Sequence, residues 1–259
     1  ITCVRESSNS EEFATADRAM NEFKAQTRSL SGVYTLFVSE LEKDFSYGVQ
    51  EVEPMQAASL MKLPVMITMY MEVEAERISL EDIYTLRNED KVAGAGSMYN
   101  QPAGTEFSYR ELLEAMGQTS DNTAYRSVLG IVSERRVKEV IAQIGMVNTD
   151  FDENETSAED VGLLFEKLWR GELIEENSRD ELLSFLTNTV YEEHLAAGVP
   201  DNVRVAHKYG REVHVVNDAG IIFTDEPFVV VIMSKGVVEK EADEVFPELA
   251  RTVFSGLTN

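Results

Sequence analysis

The spacing of apolar residues changes along the chain, and this change limits the fold more than any other feature of the sequence. Residues 10–29 and 239–254 repeat their apolar positions at a helical period. Five shorter stretches instead combine β-branched and aromatic residues in the manner of strands. The predicted strands are 33–39, 45–50, 203–209, 214–223 and 227–234. A long region of mainly helical spacing separates the second strand from the third.

This order of elements predicts an α+β fold. The terminal helices cover a five-stranded, mainly antiparallel sheet, and an all-helical lobe is inserted between the second and third strands. We expect one domain over residues 10–259, with a sheet lobe of about 10–52 and 203–259, a helical lobe of about 53–202, and a polar tether over 1–9. The helices expected in the inserted lobe cover about 59–76, 109–117, 122–129, 133–144, 157–168 and 179–187.

The formal net charge of −24 at pH 7 excludes some classes of partner. Such a surface repels phosphate groups, so nucleic acids and anionic lipid faces are poor partners. We interpret the acidic residues as solvation of exposed helix faces, with a basic or salt-rich setting as the alternative. No cofactor is expected, and His194, His207 and His214 lack the spacing of a metal site.

The N-terminal residues bear on location. The chain opens with Ile1-Thr2-Cys3 rather than with methionine, which indicates a cleaved or trimmed leader. Cys3 is the one cysteine of the chain, so no disulfide framework forms within it. Its place before a polar stretch suits a lipid-modified cysteine on a tether, with an incidental cysteine as the alternative. These features predict an extracytoplasmic protein, periplasmic or at the cell surface, with a lipid anchor if Cys3 is modified.

The motif Ser59-Leu60-Met61-Lys62 opens an apolar helical stretch and pairs a nucleophile with a base. A serine hydroxyl is a weak nucleophile near neutral pH and needs a nearby group to accept its proton. Residues three apart share one helix face, so a desolvated Lys62 with a lowered pKa can serve Ser59 as that base. The spacing alone is weak evidence, because S-x-x-K is expected about once by chance in a chain of this length.

A second group, Ser120-Asp121-Asn122, follows the end of a predicted helix. The Ser120 hydroxyl can relay a proton between Lys62 and a leaving group, and the Asn122 amide can bind a substrate carbonyl. Taken alone, the triplet is more typical of a turn and helix N-cap than of a catalytic group, because all three residue types are preferred there.

A third group, Lys208-Tyr209-Gly210, falls on a predicted strand. A lysine at this position attracts an anionic carboxylate, and Gly210 lets the backbone of a ligand approach the strand edge. His207 is expected to point to the other face of the strand, which indicates a structural role.

In this order and on these elements, the three groups resemble the S-x-x-K, S-D-N and K-T-G signature of class A β-lactamases and penicillin-binding proteins. Neighbouring residues resemble the same family, namely Gln56-Ala57-Ala58, Leu63-Pro64-Val65, Gly94 to Gly96, Asn122-Thr123-Ala124 and Asn217-Asp218. The resemblance covers roughly residues 30–256. It implies a β-lactamase/transpeptidase-like fold and a serine acyl hydrolase.

The resemblance also implies the roles of individual residues. Ser59 attacks a carbonyl, and Lys62 and Ser120 are the other catalytic residues. The substrate-binding residues that it implies are Asn122, Lys208, Tyr209, Gly210 and Arg211. The oxyanion is expected to accept hydrogen bonds from the backbone N–H groups of Ser59 and Arg211.

The sequence departs from the family pattern at two places. Tyr209 stands where the family has threonine or serine, whose small hydroxyl binds the substrate carboxylate, and we expect its bulkier phenol to narrow the substrate site. The stretch from Gly145 to Ser157 is short and lacks the E-x-x-L-N motif whose glutamate activates the deacylating water. The acidic residues of this stretch are Asp150, Asp152, Glu153 and Glu155, which we interpret as solvated or capping charges.

These departures favour an enzyme that is acylated at Ser59 by a D-Ala-D-Ala-type peptide or a β-lactam and releases β-lactams slowly. Two alternatives remain open at this point. One is a genuine class A β-lactamase that hydrolyses β-lactams, and the other is a non-catalytic penicillin-binding or sensor module. The expected ligands are therefore β-lactams or peptidoglycan peptides.

Overall fold

The structure is a computed structural model that describes residues 4–5 and 10–258. The helices are α1 (Ser10–Thr27), α2 (Lys62–Glu74), α3 (Tyr109–Gln118), α4 (Asn122–Val132), α5 (Glu134–Ile144), α6 (Ala158–Trp169), α7 (Glu176–Phe185) and α8 (Glu239–Thr258). The strands are β1 (Val4–Arg5), β2 (Val33–Glu40), β3 (Phe45–Val49), β4 (Met55–Gln56), β5 (Ile83–Thr85), β6 (Glu106–Ser108), β7 (Glu155–Thr156), β8 (Arg204–Glu212), β9 (Val215–Phe223) and β10 (Phe228–Lys235). Cys3 and the predicted tether lie outside the described residues, apart from β1.

The chain divides into two compact units. The first contains the described residues of Ile1–Leu60, Met146–Glu166 and Tyr191–Asn259, and the second contains Met61–Gly145 and Lys167–Val190. We call them the sheet unit and the helical unit.

The sheet unit differs from the predicted sheet lobe, which lacked 53–60, 146–166 and 191–202. The first two of these segments pair with each other through β4 and β7, and they are tied to the sheet because Asn217 of β9 donates to Gln56 O and Ala57 O. The third belongs to it because Leu195 and Val199 lie in its hydrophobic core.

The sheet is antiparallel throughout, as its pairing shows. Its order is β1-β3-β2-β10-β9-β8, so the five predicted strands form it and the two-residue β1 extends one edge. β8 is the edge strand at the other end within the described residues. The α+β fold with a five-stranded antiparallel sheet is therefore confirmed.

The terminal helices cover one face of this sheet. Their apolar side chains and those of alternate strand positions form one hydrophobic core. This core includes Met20 and Phe23 from α1, Phe246 and Leu249 from α8, and Ile232 from β10. Because side chains alternate between the faces of a strand, residues beside these positions point to the other face. There Phe37 contacts α6 so closely that a Cβ atom at Gly162 would lie 2.2 Å from its ring.

The helical unit is built from helices with well-defined ends. Ser108 and Glu111 form a capping box at the start of α3. Asp121 caps α4 by accepting hydrogen bonds from Thr123 and Ala124. α5 ends at Gly145, which adopts the left-handed conformation that suits glycine at a helix C-terminus. No helix in the described part of the chain is both long enough and apolar enough to cross a lipid bilayer.

Candidate active site

Ser59 lies in a 3₁₀ turn, Ala58–Met61, that comes directly before α2. The turn is held by backbone hydrogen bonds within the sheet unit: Ala57 N donates to Asn154 O at 2.8 Å, and Leu60 N donates to Ala57 O at 3.1 Å. Ala57, Ala58 and Leu60 are buried, whereas Ser59 is half-buried. The fold therefore fixes the backbone on both sides of Ser59 and leaves its side chain partly accessible.

Gly210 of β8 packs directly against this turn. A Cβ atom at Gly210 would lie 3.1 Å from Ser59 N, 3.2 Å from Ala57 O and 3.4 Å from Ala58 Cβ. The absence of a side chain at Gly210 is therefore what lets β8 approach the backbone of Ser59. The structure confirms that Ser59 and the K-x-G motif come together in the sheet unit.

Lys208 is buried on the same strand, with 1% of its surface exposed. Its Nζ donates to Tyr209 O at 2.9 Å. Lys208 and Gly210 are two residues apart on β8 and so lie on the same face of the strand. The predicted cation is thus present on the strand face that meets the Ser59 turn.

Tyr209 is not where the sequence placed it. Its ring belongs to the hydrophobic core beneath the terminal helices, with 8% of its surface exposed. It stacks on His194 with ring centroids 4.6 Å apart, and its hydroxyl accepts a hydrogen bond from Arg211. The expectation that the phenol narrows the substrate site or binds substrate is therefore wrong, because strand alternation turns Tyr209 away from the face of Lys208. Burial raises the pKa of Tyr209, so the phenol stays neutral.

Arg211 also directs its side chain to the helix-covered face. Its guanidinium donates to Asp243 of α8 at 2.8 Å and to Tyr209 Oη at 3.1 Å. The side chain is therefore engaged in the packing of α8. The predicted role of the Arg211 backbone N–H as an oxyanion donor does not involve this side chain and stays a prediction.

In the helical unit, Lys62 meets the S-D-N motif. Lys62 is 3% exposed, and its Nζ lies 2.9 Å from Ser120 O, 3.1 Å from Ser120 Oγ and 2.8 Å from Asn122 Oδ1. The Nζ also lies 5.6 Å from the centroid of the Tyr125 ring. The structure therefore brings together three of the residues that the sequence singled out.

These contacts let Lys62 exchange a proton without losing hydrogen bonds. The carbonyl oxygen of Ser120 and the amide oxygen of Asn122 can only accept, so they take two N–H groups of Nζ. The Ser120 hydroxyl can either accept from an ammonium group or donate to a neutral amine. Both protonation states of Lys62 are thus compatible with these three contacts, as a proton relay requires.

Asp121 holds the S-D-N motif in place. Its Oδ2 accepts hydrogen bonds from the backbone N–H groups of Ser97 and Met98 at 2.7 and 2.9 Å. Its Oδ1 accepts from the N–H groups of Thr123 and Ala124, each at 2.9 Å. This carboxylate links the loop before it to the start of α4 and thereby fixes Ser120 and Asn122, which lie on either side of it.

The Asn122 amide, which was expected to bind a substrate carbonyl, forms hydrogen bonds within the protein. Its Oδ1 accepts from Lys62, and its Nδ2 donates to Ala93 O at 3.2 Å. The first contact orients Lys62. The predicted contact with a substrate carbonyl requires Nδ2 to exchange this partner, and it stays a prediction.

The short stretch after Gly145 is attached to the segment before Ser59. β7 pairs with β4, with Glu155 opposite Gln56, and the Gln56 side chain donates to the carbonyls of Glu153 and Asn154 at 3.3 and 3.2 Å. Within this stretch, Asp150 Oδ1 accepts from the N–H groups of Asp152 and Glu153. One of its acidic side chains therefore stabilises the turn itself.

Asn217 was singled out in the sequence only for its family-like context, and that context did not predict its contacts with the Ser59 turn. Its side chain is fully buried and donates to the carbonyls of Gln56 and Ala57 at 2.8 and 3.2 Å. An asparagine on a strand gives no signal for such a contact, because it spans 160 residues of sequence.

The histidines have structural partners. His207 is buried on the helix-covered face of β8, as predicted, with its Nδ1 2.8 Å from Asp218 and its Nε2 3.3 Å from Glu192. Burial lowers the pKa of His207, but the two carboxylates outweigh it and raise the pKa to about 9. His194 contacts Asp243 at 3.0 Å.

Residues 17–257 match a family model described as the β-lactamase enzyme family. The chain belongs to this family. This β-lactamase family member is therefore a serine hydrolase, and the resemblance stated from its motifs is confirmed. No curated protein matches its sequence significantly.

Solved structures show the same fold. The structure of PBP-A has a TM-score of 0.85, 24% identity and coverage of 96% of each chain. A mutant of PBP-A in an acyl-enzyme complex with penicillin G has a TM-score of 0.85 and 23% identity, and covers 95% of this chain and 96% of that one. A β-lactamase from Sphaerobacter thermophilus has a TM-score of 0.85 and 24% identity, and covers 94% of this chain and 96% of that one.

Proposed function

We propose that this β-lactamase family member is an acyl hydrolase that forms an acyl-enzyme at Ser59 with D-Ala-D-Ala-type peptides or β-lactams, and that β-lactam acyl groups leave slowly. The observation that carries the proposal is the buried Lys62 Nζ, held by Ser120 and Asn122 in contacts that suit two protonation states. Such a lysine is the group that a serine nucleophile needs.

Acylation follows from these groups. Ser59 Oγ attacks the carbonyl carbon while its proton passes to Lys62, and the carbonyl oxygen becomes an oxyanion. The N–H groups of Ser59 and Arg211 donate to that oxyanion. The C–N bond then breaks, the leaving nitrogen takes a proton from Lys62 through the Ser120 hydroxyl, and an ester at Ser59 remains. Water attack on the ester completes the hydrolysis.

The substrate class follows from β8. This strand lies at the edge of the sheet in the described part of the chain, and Gly210 presents no side chain there. An extended peptide can align along such an edge. Lys208 supplies a positive charge for a terminal carboxylate, a group that D-Ala-D-Ala peptides and penicillins share. Because the Tyr209 hydroxyl is bound to Arg211, Lys208 carries this recognition without help from residue 209.

The stretch from Met146 to Ser157 supports the slow release of β-lactam acyl groups from Ser59. Water attacks an ester slowly unless a base takes its proton. In this stretch, Asp150 serves as an acceptor for backbone N–H groups. Asp150 is exposed, and the first buried acid after this stretch is Asp160 of α6, which accepts from Asn148 N and Thr149 Oγ1 at 2.8 and 2.7 Å. Both carboxylates therefore already act in local structure.

Efficient β-lactamase activity is the second candidate. It is favoured by the pairing of Glu155 with Gln56, which brings an acidic stretch of chain next to the segment that precedes Ser59. A glutamate of this stretch that reached the acyl ester would activate water and speed release.

The test is a time course of intact mass after mixing with a penicillin and then with a cephalosporin. We expect a mass increase equal to the β-lactam that persists for many minutes. Ser59→Ala should remove the adduct, and Ser184→Ala, which changes an exposed serine of α7, should not. Rapid loss of the adduct would support the β-lactamase. No adduct on the unmodified protein would refute acylation at Ser59.

Because D-Ala-D-Ala peptides belong to the cell wall, the proposal includes an extracytoplasmic location. Fractionation of cells that produce the full-length protein tests this, and recovery only from the cytoplasm would contradict it.

A further inference from the structure

Asn217 lies at the centre of the contacts that hold the Ser59 turn. It is on β9 and is fully buried. Its Nδ2 donates to Gln56 O at 2.8 Å and to Ala57 O at 3.2 Å, and its Oδ1 accepts from Ser234 N of β10 at 3.0 Å. Two carbonyl partners and one N–H partner fix the orientation of the amide.

The position of Asn217 in the sheet places it beside Gly210. The two residues are directly opposite each other in the β8–β9 pairing. Gly210 lies against Ser59 N and Ala57 O, and the Asn217 amide donates to Gln56 O and to the same Ala57 O. This pair of residues therefore supports the turn from the sheet, in addition to the hydrogen bond from Ala57 N to Asn154 O.

We propose that Asn217 is a positioning residue for acylation, because it fixes the backbone from Gln56 to Ser59 and so holds the Ser59 N–H where the oxyanion forms. This inference rests on the proposed acylation at Ser59. Asn217 acts through the Ser59 turn and does not contact the substrate. It differs in this from Lys62 and Ser120, whose contacts carry the proton.

The physical basis is preorganisation. An N–H group stabilises an oxyanion strongly only if it is already in place when the charge develops. Asn217→Asp keeps the size of the side chain but removes both N–H donors and directs carboxylate oxygens at carbonyl oxygens. A displacement of the turn of about 1 Å is enough to lower a rate by about 100-fold. We therefore expect the rate constant of acylation to fall about 10- to 100-fold in this variant.

The experiment measures two quantities in the full chain. The first is the acylation of Ser59 by a fluorescent penicillin over a range of concentrations, which separates the binding constant from the rate constant of the chemical step. The second is hydrogen exchange of peptides that cover residues 55–61. Asn217→Ala is the second variant, in case the aspartate prevents folding. Ser234→Ala is the matched control, because it removes a buried hydroxyl that bonds only to Val216 and leaves the Ser234 N–H in place.

We expect the Asn217 variants to lower the rate constant with little change in the binding constant, and to speed exchange in residues 55–61. Ser234→Ala should do neither after matching for stability. Unchanged acylation and unchanged exchange in a folded Asn217 variant would overturn the proposal, and so would an equal effect of Ser234→Ala. If the unmodified protein is not labelled at all, the proposed function fails, and the exchange measurement alone decides the role of Asn217.

Discussion

Replacing Gly210 with alanine places a methyl group against the turn that carries Ser59. The new Cβ atom would lie 3.1 Å from Ser59 N and 3.2 Å from Ala57 O. Both neighbours are backbone atoms, so no flexible side chain can move aside. The turn or β8 itself must shift.

The size of this shift follows from ordinary contact distances. Contacts of 3.1 and 3.2 Å are tighter than nearly all contacts that Cβ atoms make, so the backbone must move by a few tenths of an ångström. Overpacking of this kind costs about 1–3 kcal/mol, offset in part by the smaller conformational entropy of alanine in the unfolded chain. Because a displacement of about 1 Å can cost about 100-fold in rate, we expect this smaller displacement to slow acylation by up to about 10-fold.

The test measures acylation by a penicillin as a change in intact mass. It measures stability as the free energy of unfolding in denaturant. The matched control is Gly130→Ala on the exposed side of α4, where the nearest atom to a new Cβ is 3.9 Å away on Arg87. We expect this control to stabilise the protein by up to about 1 kcal/mol and to leave acylation unchanged. If Gly210→Ala is acylated as fast as the unmodified protein and is equally stable, the inferred support of the Ser59 turn by β8 is wrong.

Four further predictions concern the sheet unit and the surface. Burial lowers the pKa of His207, but Asp218 and Glu192 raise it to about 9 from 6.5, so its contribution to stability is complete below about pH 6.5 and is lost as the pH rises through about 9. His207→Gln should therefore flatten the pH dependence of the free energy of unfolding between these values, and an unchanged profile would refute the assignment. Tyr209→Ala should cost about 3–5 kcal/mol in denaturant unfolding because it empties a core site. Tyr209→Phe should leave the acylation rate unchanged, and a slower rate would show that the hydroxyl contacts substrate. Because the net charge is −24, the thermal midpoint should rise between about 20 mM and about 500 mM NaCl, and a constant midpoint would exclude charge repulsion as a destabilising force.

The long elements were predictable from the sequence because burial alone fixes their pattern. The stretch 227–234 is β10, Phe228–Lys235, and its valines and isoleucine are buried on both faces. The stretch 33–39 is β2, Val33–Glu40. Strands of two residues such as β4 and β7 carry no such pattern, since a period needs several residues to show itself. β4 and β7 pair with each other, and the segment before Ser59 and the stretch after Gly145 both belong to the sheet unit.

The residue types of the candidate site could be predicted from the sequence, but the directions in which their side chains point were harder to predict. Ser120 and Asn122 meet Lys62, as their motif indicated. Tyr209 was misplaced, although strand alternation carried the correct signal. The same alternation that assigns His207 to the face opposite Lys208 also assigns Tyr209 there. The family position of Tyr209 suggested a substrate contact, whereas the side chain follows the geometry of the strand and enters the core.

Two residues of the candidate site have strained backbone conformations, and the buried side chains of Asn217 and Asp121 form hydrogen bonds beside them. Ala58 has φ of 48° just before Ser59, and Ser120 has φ of 54° at the start of the S-D-N motif. Residues without a glycine's freedom adopt this region at a cost, and they persist there only where surrounding contacts determine the backbone. In the sheet unit Asn217 binds the two carbonyls that precede Ala58, and in the helical unit Asp121 accepts four backbone N–H groups beside Ser120. Each of these two strained residues thus lies beside a buried polar side chain whose hydrogen bonds hold the backbone in that conformation. The proposed acylation at Ser59 therefore relies on Asn217 and Asp121 to hold the backbone around the reacting groups, although neither side chain exchanges a proton.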